Sequence, residues 1–323
     1  MKTPEKNQRG IAMMVVLWVL VLLMALATEF AFSMKTEVNT TRNFKEDIEG
    51  YYLAKAGIAL AMAEVLKPAR FHSIHPEHGW ISGNPVSPPS EKDSKGEEKK
   101  KNDYDIVPRT DIAFGNGSIT YAISDENSRI PINTASRGVL IKALAVSGVE
   151  LGEARDIIAD SILDWIDADS NHRLNGAEND YYQNLRPPYK SKNGKFETIE
   201  ELLKIRGMTE EILFGSSPTE GGTYKGLSKI FTVYNADPIN LNTASADVLS
   251  ILFNESQVQD ILGKRKETGY YNESKSNLFR IESTGKISGS QTRHAIATVM
   301  GKTSGANGPG LLTYYWNDNY IEP

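Results

Sequence analysis

From Ile11 to Thr28 the chain reads IAMMVVLWVLVLLMALAT, 18 residues without a charge. At about 1.5 Å per residue a helix over this run reaches roughly 27 Å, close to the roughly 30 Å of a bilayer's hydrocarbon core. A core helix of a soluble protein normally keeps one polar stripe, and this run has none. Lys2, Lys6 and Arg9 stand before it against Glu5. The positive-inside rule therefore keeps the start in the cytoplasm and sends the rest outward. A secretory signal peptide is the rival reading, with Ala25 and Ala27 in the A-x-A spacing of a cleavage site. Two features favour another route. Gly10 lies before the apolar run rather than after it, and the helical pattern does not stop at the membrane edge. No proline occurs from Ile11 to Lys67. Apolar or aromatic residues recur at Phe44, Ile48, Tyr51, Tyr52, Ala56, Ala59, Leu60, Ala63 and Leu66, mostly three or four apart. That spacing predicts one long helix whose second half packs on a soluble domain.

A length of 323 residues allows about two domains at roughly 100–200 residues each. The chain has no cysteine, which excludes disulfides, Cys-ligated zinc, iron–sulfur clusters and thiol catalysis together. Five histidines leave little material for a histidine metal site. A net charge of −5 argues against nucleic acid as the main partner, since phosphate binding needs clustered Lys and Arg. There is neither a G-x-S-x-G nor an HExxH motif, so no hydrolytic machinery is expected.

Residues 67–105 read as connection, with Pro68, Pro76, Pro85, Pro88 and Pro89 and the charged low-complexity run 91–103, expected to be solvated. GSITYAISD from Gly117 alternates as a strand through Ile119, Tyr121 and Ile123. A PIN…NTAS element follows at 131–136 and returns at 238–245, each time before an apolar-periodic run. In both, Thr or Ser is placed to cap a helix. GKFETIEELLKIRGMTEEILFG (194–215) reads as helix, Gly turn, helix. Residues 133–270 are thus expected to form a helical domain with an imperfect internal repeat. Its short helices and Gly turns resemble helix-hairpin-helix DNA-binding modules, which implies a membrane-anchored DNA-uptake protein as an alternative. The hairpin FNESQ lacks glycine, however, and Arg206–Gly207 is followed by two acids, so the phosphate-binding chemistry is missing.

The segment 160–182 holds Asp160, Asp164, Asp167, Asp169, Glu178 and Asp180 against one arginine. With Asp167 as position 1, Asp169, Asn171, Arg173, Asn175 and Glu178 fall at positions 3, 5, 7, 9 and 12, the ligand spacing of an EF-hand-type loop. Arg173 would offer its backbone carbonyl there. The glycine expected at position 6 is replaced by His172, which points to a variant path in which Asp164 or Asp180 supplies an oxygen. Hard oxygen donors suit Ca²⁺, one or two ions, better than zinc. The alternatives are a solvated acidic loop and a pair of catalytic carboxylates.

A basic leader ending in Gly10, followed by an apolar helix, resembles type IV pilins and the pseudopilins of type II secretion. The resemblance implies cleavage by a prepilin peptidase between Gly10 and Ile11 and N-methylation of Ile11. Most such proteins have Glu at the fifth mature position, and here Val15 stands there. That loss, together with WIDAD…GAE…YY in a helical domain, resembles the K-type minor pseudopilins, some of which bind calcium in that part. The resemblance implies a subunit at the tip of the pseudopilus, partnered by I- and J-type pseudopilins. It would be anchored once in the inner membrane, N-terminus cytoplasmic and the rest periplasmic, with no enzymatic activity. LFRIES near 278, Ala295–Val299 and 311–320 are further strand candidates. Tyr314, Tyr315 and Trp316 are expected in the core, a partner surface being the alternative. The expected fold is α+β: a pilin-like long N-terminal helix packed on a small antiparallel sheet, with the helical domain inserted between strands. The divisions are leader 1–10, helix 11–66 with 11–28 in the membrane, linker and first strands 67–132, insertion 133–270, and last strands 271–323.

Overall fold

The computed structural model describes residues 8–67, 71–75, 79–83, 109–216, 224–236, 238–305 and 308–320. Most of the leader and the charged run 91–103 lie outside the described residues. The chain starts with α1 (Gln8–Leu66), one continuous helix of 59 residues. It continues through an antiparallel hairpin, β1 (Phe71–His75) and β2 (Gly79–Gly83), within the stretch 67–132 expected to hold a linker and the first strands. Next come β3 (Ile112–Phe114) and β4 (Gly117–Asp125). The helical part holds the short parallel pair β5 (Ile130–Pro131) and β6 (Phe231–Thr232) among α2 (Arg137–Ser147), α3 (Glu153–Ile166), α4 (Asn179–Gln183), α5 (Glu210–Phe214), α6 (Ala246–Leu252) and α7 (Glu255–Thr268). The chain returns through β7 (Leu278–Ile287), β8 (Arg293–Gly305) and β9 (Gly308–Asn317). The main sheet has the order β3-β4-β7-β8-β9 and is antiparallel throughout. The helical part is therefore an insertion between two neighbouring strands of an α+β fold.

Every residue of α1 from Ile11 to Lys45 is exposed, and the helix is long and apolar enough to cross a membrane. Its last third lies on the sheet, but not with the face that periodicity picks out. Phe44, Ile48, Tyr52 and Leu60 are exposed, while Gly50, Leu53, Ala54, Gly57, Ile58, Ala61 and Val65 are buried. The reason is steric. A Cβ on Gly57 would come within 2.1 Å of Ser283 Oγ and 2.6 Å of Ile119 Cγ2, and a Cβ on Gly285 within 2.2 Å of the Gly50 carbonyl oxygen. Small residues let helix and strands approach closely, and Ile119, Tyr121, Ile123, Phe279, Ile281, Ile296 and Met300 fill the space around them. Under the helix, buried Glu64 pairs with Arg109 and accepts from the Tyr121 hydroxyl at 3.2 Å.

The insertion has a second core of its own, with Leu140, Leu144, Ile158, Ile162, Trp165, Tyr182, Leu202 and Phe231 at its centre. Both NTAS elements act as the sequence suggests. Ser136 caps α2 by accepting from Val139 N–H, and Ser245 caps α6 by accepting from Val248 N–H. Each element also carries an asparagine clamp. Asn133 brackets Phe196 through its N–H and carbonyl, and Asn242 accepts from the N–H groups of Tyr271 and Asn272. The 199–204 segment is a 3₁₀ turn rather than an α-helix, and Gly207 follows it at φ +82°. The expectation for the C-terminal aromatics is corrected: Tyr314 and Trp316 are exposed and Tyr315 half-buried. They sit on β9, at the sheet's margin, where neither face is fully covered.

Candidate functional site

The acidic segment is built at the C-terminal end of α3. The apolar residues of α3 face the second core, so Trp165 is buried and packs edge-on to Tyr182 and stacked with Phe196, with ring centroids 5.3 and 6.4 Å away. One residue earlier, Asp164 is also buried. Its carboxylate accepts from the Arg173 N–H at 3.1 Å and from Arg173 Nη1 at 2.6 Å. Asp167 caps the helix end, and its Oδ2 accepts from the same Nη1 at 2.6 Å. Gly176 fits here because a Cβ would lie 1.8 Å from Asp164 Oδ2. Glu178 is buried, and its Oε2 accepts from the Ser191 hydroxyl at 2.8 Å.

Burial pushes the Asp164 carboxyl above its ordinary pKa, against the pull of Arg173. Glu178 is raised as well, by burial first and then by the charges of Asp164 and Asp167. Burial works against the charge of Arg173, but its bonds to Asp167 and Asp164 carry the guanidinium above its usual value.

The structure thus draws together Asp164, Asp167, Arg173 and Glu178. It leaves Asp169, Asn171 and Asp180 exposed, with Asp169 Oδ1 accepting from the nearby Asn171 N–H. The Arg173 carbonyl accepts from the Gly176 N–H at 3.0 Å. Asn175 donates to Asp160, which is held by Arg137 at 2.5 Å. Among the described residues no three acidic or histidine side chains close into a formed metal site.

Three buried acceptor oxygens around this loop nonetheless lack a hydrogen-bond donor among the described residues: Asp167 Oδ1, Glu178 Oε1 and Asn193 Oδ1. Buried acceptors without donors are costly unless a cation or water satisfies them. Asn193 was not among the sequence candidates. It reaches the loop because its amide donates to the Asp169 carbonyl at 2.6 Å, while the next residue's N–H bonds the Trp165 carbonyl at 3.0 Å. This set, two carboxylates and an amide carbonyl, is the donor chemistry of Ca²⁺.

Arg206, at the turn considered for DNA, is stacked 4.9 Å over Tyr181 and donates to the Gly176 carbonyl at 3.2 Å. Its guanidinium is committed within the fold.

The family model for type II secretion system (T2SS), protein K, matches residues 121–218, the strand entering the insertion and the whole acidic loop. A relative from Escherichia coli (strain K12) is 26% identical over 208 residues, covering 64% of this chain and 60% of that one. The type II secretion system protein K of Pseudomonas aeruginosa is 24% identical over 279 residues, 82% of this chain and 75% of that one. The chain is thus similar to type II secretion system protein K, and it spans about 60% of the length of the first of these relatives. The fold is also similar to a solved one. A chain of the GspK-GspI-GspJ complex from the enterotoxigenic E. coli Type 2 Secretion System superposes with a TM-score of 0.54 at 14% identity, over 88% of this chain and 100% of that chain. The exposed apolar stretch of α1 has the length and composition of a single-pass membrane anchor, and Val15 lies within it.

Proposed function

We propose that this chain is the minor pseudopilin at the tip of the type II secretion pseudopilus, a structural subunit rather than an enzyme, which starts assembly and supports protein export across the outer membrane. Its partners in this reading are I- and J-type pseudopilins, which the complex containing the similar chain supports by name. Prepilin peptidase cuts between Gly10 and Ile11, and Ile11 is then methylated. The first part of α1 spans the inner membrane with its N-terminus cytoplasmic, and the remainder lies in the periplasm.

One observation carries the reading. A single helix offers a long run of exposed apolar residues for neighbours, and the sheet on its far end carries an insertion with a core of its own. A bundle of such helices is stabilised by lateral packing within the lipid. The insertion gives this subunit bulk that blocks addition above it. Val15 removes the carboxylate that an arriving subunit's ammonium needs as a partner in lipid, where an unpaired charge costs several kcal/mol.

Calcium belongs to the same proposal. Asp167, Glu178 and Asn193, with Asp164 behind them, would hold the ion, which supplies positive charge to a loop whose acids otherwise repel one another.

The absence of cysteine makes a direct test clean. A single cysteine replacing Leu174, which is exposed on the loop, is labelled with gold on assembled pseudopili. Label at one end alone is expected. Label along the shaft would refute tip placement. For the metal, the thermal midpoint of the full chain in detergent should rise with excess Ca²⁺ over that in chelator; identical midpoints would remove calcium from the proposal.

A further inference from the structure

We infer that the Arg173 guanidinium is a resident counter-ion of the acidic loop and that a divalent cation binds there by exchange against it. The inference rests on the calcium reading above. Three observations lead to it.

The first is the geometry of the guanidinium. A single nitrogen, Nη1, bridges Asp164 Oδ1 and Asp167 Oδ2 at 2.6 Å each. A guanidinium that serves one carboxylate structurally uses its fork to make two parallel bonds. Here it sits between two acids, as a shared cation does.

The second is that the loop does not depend on that side chain for its shape. Asp164 also accepts from the backbone N–H of Arg173, and Gly176 turns back under Asp164 with its N–H on the Arg173 carbonyl. These bonds remain when the guanidinium leaves. The Arg173 side chain is 39% exposed, so it has an open path into water on a long flexible stem. The neighbouring acid is treated differently: Asp160 is held by Arg137 Nε and by Asn175, a fixed arrangement outside the exchange.

The third is the remaining charge and the remaining acceptors. The guanidinium bonds two carboxylates, Asp164 and Asp167, and among the described residues Asp167 Oδ1, Glu178 Oε1 and Asn193 Oδ1 are still without donors. Arg173 satisfies half of Asp167 and none of Glu178. A divalent ion at these oxygens, with ligand distances of about 2.3–2.6 Å, would stand beside the guanidinium in a partly buried place. Repulsion there is far less screened than in water. The positive side chain is the mobile partner, so it leaves. The arginine thereby offsets the repulsion among the acids before metal arrives and sets a threshold concentration for metal.

The test uses the full chain in detergent, the Arg173→Gln variant and the Arg173→Lys variant, with calcium chloride as the titrant in calorimetry and with thermal midpoints in chelator and in saturating Ca²⁺. Arg173→Gln should tighten the calcium dissociation constant by about tenfold or more, because one opposing charge is gone. The same variant should melt lower than the parent in chelator and recover most of that loss in calcium. Arg173→Lys should lie between the two. If Arg173→Gln folds only with calcium present, that loss in chelator is itself the expected direction, and the lysine variant provides the affinity comparison. Calcium binding that is unchanged or weaker in both variants would overturn the exchange and leave the calcium reading intact. No calcium binding by any of the three chains would overturn both.

Discussion

Replacing Gly57 by alanine probes the contact that joins helix and sheet. In a helix interior with free space around it, Gly→Ala stabilises by roughly 0.5–1 kcal/mol because the unfolded chain loses less entropy on folding. At Gly57 the new methyl carbon would lie 2.1 Å from Ser283 Oγ and 2.6 Å from Ile119 Cγ2. The serine hydroxyl can rotate away, since no hydrogen bond holds it. Ile119 cannot: it is completely buried in the middle of β4 and β-branched, with few rotamers to choose from. Either the helix lifts from the sheet or the isoleucine leaves its well, and overpacking of this kind costs about 1–3 kcal/mol. Subtracting the propensity gain leaves a net loss of about 0–2.5 kcal/mol, centred near 1, for Gly57→Ala. Gly263 in α7 is the matched control, because a Cβ there meets nothing within 4 Å. Gly263→Ala should gain about 0.5–1 kcal/mol. Thermal unfolding of the full chain in detergent reads both, at about 2–4 °C per kcal/mol for a chain of this size. The two midpoints should move in opposite directions. A rise for Gly57→Ala alongside Gly263→Ala would mean that helix and strand are not in close contact.

Two further substitutions address the joint between sheet and insertion. Burial raises the Asp125 carboxyl from 3.8 to about 6, opposed by its bonds from Ser276, Thr243, the Asn127 N–H and Asn240. A raised native pKa means that the folded chain keeps a proton the unfolded chain gives up. This contribution is therefore full below about pH 4 and lost as pH rises through 6. The stability of the parent relative to Asp125→Asn should fall by up to about 3 kcal/mol between pH 4 and 7; a difference independent of pH, by denaturant titration, would refute the desolvation argument. Glu126 is fully buried, and its Oε1 accepts from Arg129 at 3.1 Å and from Arg280 at 2.6 Å. Glu126→Ala removes the carboxylate that both arginines share, and removing one side of a buried ion pair costs about 3–5 kcal/mol. A loss below about 1 kcal/mol by denaturant titration, the range of an exposed pair, would show that the joint is wet.

The two halves of α1 were legible to different degrees, and the cause is physical. An uncharged run of 18 residues stands out in composition alone, so the apolar part of α1 is plain from the sequence. The packed part is defined by Gly50, Ala54, Gly57 and Ala61, and small residues leave almost no trace in a hydrophobic pattern. Phe44, Ile48 and Tyr52 dominated the pattern while remaining exposed. Strand alternation succeeded at Ile119, Tyr121 and Ile123 because one face of β4 is fully covered. It failed at Tyr314 and Trp316, since β9 has strand neighbours on one side alone. In the acidic loop, spacing along the chain found Asp164, Asp167 and Glu178, which the loop's own turn brings together. It also named Asp169, Asn171 and Asp180, which the path through Gly176 leaves outside. Asn193 returns from a separate stretch through tertiary contacts, and spacing within one loop cannot reveal such a residue. The role of Arg173 was hidden for a related reason: a template that uses a backbone carbonyl is silent about the side chain.

The insertion's mode of attachment explains how a pilin-like sheet carries so large a load. β4 and β7 pair from Gly117 with Ile287 to Asp125 with Phe279, so the sheet closes as though the insertion were a hairpin loop. Three consecutive residues then fasten its two ends. Asp125 accepts from Ser276, Thr243 and Asn240, the last at 3.0 Å. Glu126 takes Arg280. Asn127 accepts through Oδ1 from the N–H groups of Asn277 and Leu278, both at 2.9 Å. An apolar joint of the same area would stabilise as well, but it would tolerate sliding, because burial has no preferred direction. Hydrogen bonds and ion pairs in a buried place are directional and expensive to break singly. They hold the insertion at one angle to the sheet while each side keeps its own apolar core. In the proposed role at the tip, a subunit that acts through where its bulk sits needs that fixed angle more than it needs additional stability, and a buried carboxylate with a pKa near 6 is the cost of fixing it.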